Sequence, residues 1–168
     1  MWPFSFFWTG FKSVEPDPLL ETADALTAAI NSVTFSQSFT AARHYADLDA
    51  QLKSLDLTVD VIPVERIDIQ METRGHERSL CVCDLVLRKQ IRADGGGVKL
   101  IDVNPLVSLL QAIENWLSGR ELAHDCMWQS CVTTAVIHKH LREWNQYTGI
   151  LRLTYAVSRE LSPFPKND

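Results

Sequence analysis

The sequence predicts an α+β domain: a mostly antiparallel β-sheet of about four to five strands, with two main helices packed on one of its faces. Two stretches repeat apolar residues at helical spacing, whereas several others alternate apolar and polar residues as strands do. The strand candidates follow one another in groups and do not alternate with helices. This order is typical of α+β folds and of antiparallel sheets.

The longest strand signal covers residues 77–91 and predicts the central strand of the sheet. Successive side chains of a strand point to opposite faces. Apart from Lys89, the odd positions from 81 onward are apolar and predict the face that meets the core: Cys81, Cys83, Leu85, Leu87 and Ile91. The even positions keep Leu80, Val82 and Val86 among polar residues. This mixed face predicts partial cover, for example by a neighbouring subunit.

Two helices are predicted on the core face. The first covers residues 16–30, with prolines and acids near its start and an apolar stripe at Leu19, Ala23, Leu26 and Ile30. The second has Asn104 as its N-cap, Pro105 in the first helical position and Gly119 as its stop. Its buried stripe is predicted to be Leu106, Leu109, Leu110, Ile113 and Leu117.

The remaining strand candidates are less regular and lie at 35–45, 57–64, 131–138 and 148–159. Pro63 cannot donate to a β-ladder, so its strand is predicted to end there or to lie at an edge. A short helical turn is expected at 47–54, and a loop or frayed hairpin arm at 65–76. Residues 120–130 give no clear signal.

Length and composition predict one domain in a reducing compartment. The 168 residues divide into an N-terminal arm at 1–15, a domain at 16–161 and a flexible tail at 162–168. The net charge of −5 lacks the basic excess of a compact nucleic-acid binder. Four cysteines do not make a disulfide scaffold. No apolar run reaches the ~20 residues of a membrane helix, so we expect a protein made in the cytoplasm with no membrane partner.

Two segments are predicted to make contacts with other chains. The arm is rich in aromatic residues, which are costly to leave in water: Trp2, Phe4, Phe6, Phe7 and Trp8. It either folds back on its own domain or docks on another chain, where aromatic anchors are favoured. The second segment is the flexible tip formed by Gly95, Gly96 and Gly97. These glycines do not match a phosphate-binding loop.

No constellation in the sequence predicts a reaction, so no catalytic, cofactor-binding or metal-binding residue is assigned and the chain is not expected to be an enzyme. Zinc-ligand types do occur close together at His124, Cys126, Cys131 and His138, but without the paired CxxC spacing of a strong zinc signal. Two buried thiols and two surface histidines are therefore the favoured explanation. Cys81 and Cys83 are expected to be core residues.

Three segments carry a resemblance to a known family. The first is Phe-Ser-Gln-Ser-Phe-Thr-Ala-Ala-Arg-His-Tyr at 35–45. The second runs from Leu52 to Pro63, where a leucine is followed by Asp-Leu-Thr-Val-Asp-Val-Ile-Pro, and continues into a charged segment and a strand ending in Arg-Lys. The third is Leu-Arg-Glu-Trp-Asn-Gln-Tyr-Thr-Gly-Ile-Leu-Arg-Leu-Thr-Tyr at 141–155. Their order and spacing, over residues 18–159, resemble small tail-completion proteins of tailed bacteriophages and prophages, which are tail-terminator-like proteins of the neck. The aromatic arm and residues 120–131 depart from that pattern.

The resemblance implies a structural protein of the virion that forms a ring, a hexamer of copies of itself, at the junction between tail and neck. Its implied partners are the tail tube protein and the neck or connector proteins, with genomic DNA passing through the lumen without specific binding. Two other interpretations stay open: a head-closure, connector or minor tail subunit, and an unrelated soluble domain with a Cys/His metal site.

Overall fold

The computed structural model describes residues 17–45, 47–73, 76–92, 98–123 and 125–160 of the chain. In chain order its elements are α1 (Pro18–Asn31), β1 (Ala41–Arg43), β2 (Thr58–Thr73), β3 (His76–Gln90), α2 (Leu100–Leu117), β4 (Cys126–Thr134), α3 (His138–Trp144) and β5 (Gln146–Glu160). These elements form an α+β fold whose sheet is mostly antiparallel, which confirms the predicted class.

The five strands lie in the order β1-β2-β3-β5-β4. Only the short pairing of β1 with β2 is parallel, and β2–β3, β3–β5 and β4–β5 are antiparallel. The predicted central strand is indeed central: β3 pairs with β2 on one side and with β5 on the other along most of its length. The last strand, β5, therefore lies inside the sheet and β4 forms an edge.

The core lies between one face of the sheet, called here the core face, and the helices α1 and α2. The predicted core positions Cys81, Cys83, Leu85, Leu87 and Ile91 are buried there together with the apolar stripe of α2. The α1 stripe is buried at Ala23, Leu26 and Ile30, whereas Leu19 is partly buried. Helix α1 begins where its sequence allows, because the Asp17 carboxylate accepts a hydrogen bond of 2.8 Å from the Leu19 backbone N–H. Full burial of one leucine side chain stabilises the fold by about 1.5–3 kcal/mol, so these stripes hold the two helices on the sheet.

Helix α2 begins earlier than predicted. It starts at Leu100, and Pro105 lies inside the helix and not in its first position. The stripe explains the difference, because Val103 is buried one turn before Leu106 and extends the same apolar face. The predicted stop is correct: the helix ends at Leu117, and Gly119 adopts a φ of 70°.

Three other boundaries differ from the prediction. Of the two alternatives expected at 65–76, the loop is wrong and the hairpin arm is correct, because β2 continues to Thr73 and forms a long hairpin with β3. Strand β4 covers Cys126–Thr134 and not 131–138. Part of the segment 120–130, which gave no clear signal in the sequence, is therefore strand. The helical turn expected at 47–54 is reduced to one hydrogen-bonded turn, in which the Ala50 N–H donates to the Asp47 carbonyl at 3.4 Å. A short helix, α3, forms at His138–Trp144.

The described residues cover only one half of the opposite face of the sheet, which is called here the second face. Helix α3 and the segment 47–52 lie over the end of β3 and the start of β5, and this area is called the covered half. The remainder, which carries the second-face residues of the β2–β3 hairpin, the end of β5 and β4, is called the open half. Partial cover agrees with the mixed pattern of β3.

Candidate interaction surface

Strand β4 is an unprotected edge of the sheet. Its nine residues, Cys-Met-Trp-Gln-Ser-Cys-Val-Thr-Thr, include no charge and no proline. Its inner side pairs with β5. On its outer side the described part of the chain contributes only Leu122, which bridges Cys126. Natural edge strands are usually short or carry charges, prolines or bulges that oppose pairing with another chain. Apart from a bulge between Trp128 and Ser130, β4 lacks these features.

The side chains of β4 combine a fixed inner face with an exposed apolar outer face. Trp128 packs edge-on against Tyr155 with ring centroids 5.8 Å apart, which ties the strand to the core. On the second face, Met127 is 57% exposed and Val132 is 64% exposed. Such a strand is held in position and presents both backbone hydrogen-bonding groups and apolar side chains. It therefore provides a template for an added strand.

The other edge of the sheet is protected. Strand β1 pairs only with residues 59–61 of β2. Beyond that point β2 carries Pro63, then a bulge before Glu65, then Arg66 and Asp68, whose side chains approach to 2.8 Å. Proline, a bulge and charges each disfavour strand addition. The two edges therefore differ in the features that control association.

The covered half of the second face contains a polar network built from distant parts of the chain. The Arg88 guanidinium donates to the Asp60 carboxylate at 2.7 Å and to the Asp47 backbone carbonyl at 3.3 Å. The Gln146 side chain accepts from the Leu52 backbone N–H at 2.7 Å. These bonds hold segment 47–52 on the sheet.

His140 completes this network under α3. Its Nδ1 atom lies 3.0 Å from the Thr148 hydroxyl, which also accepts a hydrogen bond of 3.0 Å from the Gln146 amide. The Thr148 hydroxyl keeps a hydrogen to donate and a second lone pair to accept with, so it can pair with Nδ1 in either imidazole tautomer. Burial lowers the pKa of His140. The covered half is thus packed and largely hydrogen-bonded, although the Arg88 Nε and Gln90 Oε1 atoms are buried without a hydrogen-bond partner in the described chain.

The open half presents apolar residues among few charges. Ile67 is 48% exposed, Ile69 is exposed and Leu80 is half-buried. At its centre Arg152 makes two hydrogen bonds of 2.8 Å to the Asp84 carboxylate, although the arginine side chain is 54% exposed. The apolar groups form two strips at opposite sides, one on β2 and one on β4. The absence of a cover from the described chain makes the open half a second candidate contact surface.

The contact residues predicted from the sequence lie outside the described residues. This holds for the aromatic residues of the arm and for the glycines of the tip: Trp2, Phe4, Phe6, Phe7, Trp8, Gly95, Gly96 and Gly97. The same is true of His124 and of the C-terminal tail. The β4 edge was not predicted as a contact surface. The uncharged sequence of β4 is a signal that could have indicated a contact strand. The strand order that places β4 at the edge of the sheet cannot be predicted from neighbouring residues.

The cysteines do not converge on one site. Cys126 is buried 3.5 Å from the Thr22 hydroxyl, and it pairs with Val157 on β5. Cys131 pairs with Leu153, four residues away along β5, so at about 3.3 Å per residue the two thiols are too far apart to share one zinc ion. Burial raises the pKa of Cys83 to about 12, as expected of a core thiol. No group of three or more metal-ligating side chains occurs among the residues that the structure describes.

Within the described ranges, no helix has the length and apolar composition needed to span a membrane. No protein-family model matches the sequence, and no curated protein matches it.

Proposed function

We propose that this chain is a structural subunit of a tailed phage, a tail-terminator or tail-completion protein that joins copies of itself into a ring at the junction of tail and neck. The observation that carries the proposal is the β4 edge, an uncharged strand of nine residues that is open on its outer side beyond Cys126 in the described chain. An edge of this kind favours association with another chain. The family resemblance of the sequence supplies the identity of the assembly.

The contrast between the two edges supports a ring. A closed ring of identical subunits is built from heterologous contacts, in which two different surfaces of the subunit meet. The β4 edge supplies one such surface. The protected edge at Pro63 and Glu65 is unsuited to strand pairing. The β4 edge of one copy therefore contacts a different part of the next copy. A subunit with one open edge and one protected edge also avoids indefinite stacking of sheets.

The net charge of −5 fits a ring whose lumen passes DNA without retaining it, because like charges repel. In this proposal the other partners are the tail tube protein and the neck or connector proteins. A head-closure or minor tail subunit uses the same edge argument, and the position of the chain in the particle separates these alternatives. The Cys/His metal site has no support from the described geometry, since Cys126 faces the core.

The first test is to locate the chain in purified virions from cells that encode it, by cryo-EM or immunogold labelling. We expect a ring of density between the tail tube and the neck. Density in the head–neck connector or along the tail shaft would replace the terminator with one of the two related subunits. Absence of the chain from the particles would overturn the phage proposal as a whole.

The second test addresses the β4 edge. Val132→Lys adds a charge towards the C-terminal end of β4, where the side chain is 64% exposed. We expect a folded subunit that is lost from particles, which then fail to join heads to tails. Gln111→Lys is the matched control, because it adds the same charge on the exposed side of α2. Quantitative mass spectrometry of purified particles gives the readout. Normal incorporation of the Val132 variant would show that ring formation does not use this edge.

A further inference from the structure

We propose that residues 1–16 of the same chain pack across the β2 strip, the apolar side of the open half formed by Ile62, Ile67, Ile69 and Leu80. By the sheet register these four side chains lie on the second face, since Ile62 pairs with Asp84, Ile67 with Leu80, and Ile69 with Arg78. Glu65, which pairs with Val82, lies on the same face between Ile62 and Ile67, so the apolar strip contains one carboxylate. Exposed apolar clusters on a domain usually mark a contact surface. This inference is independent of the ring and of the β4 edge.

The position of Asp17 brings the arm to this strip. The Asp17 carboxylate lies 3.4 Å from the Arg66 guanidinium, and Arg66 precedes Ile67 on β2. At the other side of the same helix start, Glu21 contacts Arg159 near the end of β5. The first described residue of the chain is therefore fixed beside the β2 edge, at the level of the strip.

The chain before Asp17 has the reach and the composition to cover the strip. Sixteen residues extend over as much as about 50 Å, more than enough to turn around the edge of β2 onto the second face. The path is open within the described chain, because β1 pairs with β2 only at residues 59–61. The segment carries six aromatic residues and is uncharged as far as Phe11, with Lys12 and Glu15 close to the helix. Aromatic rings over aliphatic side chains bury large apolar areas.

One argument indicates that the arm over the strip comes from the same chain. A second indicates that the arm contacts the strip through side-chain packing. A tethered segment of this length has an effective concentration on the order of millimolar at a nearby surface, which exceeds the concentration of free subunits in ordinary solutions. Strand addition to β2 is disfavoured by Pro63 and by the bulge before Glu65. The aromatic side chains therefore pack over the strip and do not extend the ladder.

The test uses the methyl NMR signals of isoleucine in the full chain and in a variant carrying Phe4→Ser, Phe6→Ser and Phe7→Ser. We expect the δ1 methyl signals of Ile67 and Ile69 to lie upfield in the full chain, because of the ring currents of the arm, and to lose that shift in the variant. Ile113, which lies on the buried side of α2, reports whether the fold is intact. Ile101, which is exposed at the start of α2, is the matched control for a general change of solvent-exposed signals.

A dilution series distinguishes an arm that packs on its own chain from an arm that packs on a second copy. Shifts that persist on dilution support packing within one chain, whereas shifts that fade with dilution assign the arm to a second copy and overturn the proposal. Identical Ile67 and Ile69 signals in the full chain and in the variant would also overturn it. These outcomes do not depend on localisation in virions, so the failure of this proposal is distinguishable from the failure of the proposed function.

Discussion

The two halves of the second face are built on the same sheet, but the described chain covers one of them and leaves the other exposed. In the covered half, Arg88 is 8% exposed, and its ion pair with Asp60 lies beneath a segment from elsewhere in the chain. In the open half, Arg152 pairs with Asp84 and itself remains in contact with water. The comparison separates residues whose partners are supplied by the described chain from residues whose surroundings are left to a further segment or another chain.

The largest expected difference concerns these two ion pairs. Arg88→Met leaves the Asp60 carboxylate buried without its main partner, and removal of one member of a buried pair lowers the free energy of unfolding by about 3 kcal/mol. Arg152→Met leaves Asp84, whose side chain is 7% exposed, without its partner. Because Arg152 is 54% exposed and its charge is screened by water, we expect a smaller loss of about 1–2 kcal/mol. Urea denaturation of both variants measures the difference. Equal losses would mean that the two halves are equally covered.

A smaller difference is expected for apolar side chains. Val86 is fully buried on the covered half, and Val86→Ala should lower the free energy of unfolding by about 2 kcal/mol through lost transfer energy and a residual cavity. Met127 lies on the β4 side of the open half, and Met127→Ala should change the free energy of unfolding by no more than about 0.5 kcal/mol. Thermal and urea unfolding of the purified variants provide the measurement. A loss of similar size at Met127 would indicate a cover over β4 even in the free subunit.

Local patterns predicted the elements that depend on neighbouring residues. The alternation along residues 77–91 correctly identified β3 and its core face, because a period of two is a property of the strand itself. The buried stripe of α2 was correct for the same reason. Its start was misplaced because Pro105 resembles a first helical residue, whereas the burial of Val103 that extends the helix comes from the sheet beneath it.

The candidate surface depends on long-range contacts, and so it was only partly predictable. The mixed face of β3 suggested partial cover, but the cover itself joins Leu52 to Gln146, which are far apart in sequence. The charges after Pro63 left a loop and a frayed hairpin arm as alternatives, because on a protected edge strand such charges are compatible with β-structure. The open edge of β4 arises because β5 inserts between β3 and β4, an order that no local pattern specifies.

The smallest expected effect is a pH dependence of the covered half. Burial lowers the pKa of His140 below its ordinary value near 6.5, with Lys139 and Arg88 acting in the same direction and Asp49 and Glu143 opposing them. The unfolded chain therefore binds a proton at a higher pH than the folded chain does. The contribution of the neutral ring is complete above pH ~6.5 and is lost progressively as the pH falls through the unfolded pKa towards the folded one.

His140→Gln should remove this dependence, so that the free energy of unfolding falls less between pH 7 and pH 5 than in the unmodified chain, on a scale set by about 1.4 kcal/mol for each unit of pKa difference. His138→Gln is the control, because that side chain is exposed at the start of the same helix and should retain the original pH dependence. Urea denaturation at a series of pH values measures both. An identical pH profile for all three chains would mean that the ring beside Thr148 takes up its proton without cost and that α3 covers the sheet less tightly than its hydrogen bonds indicate.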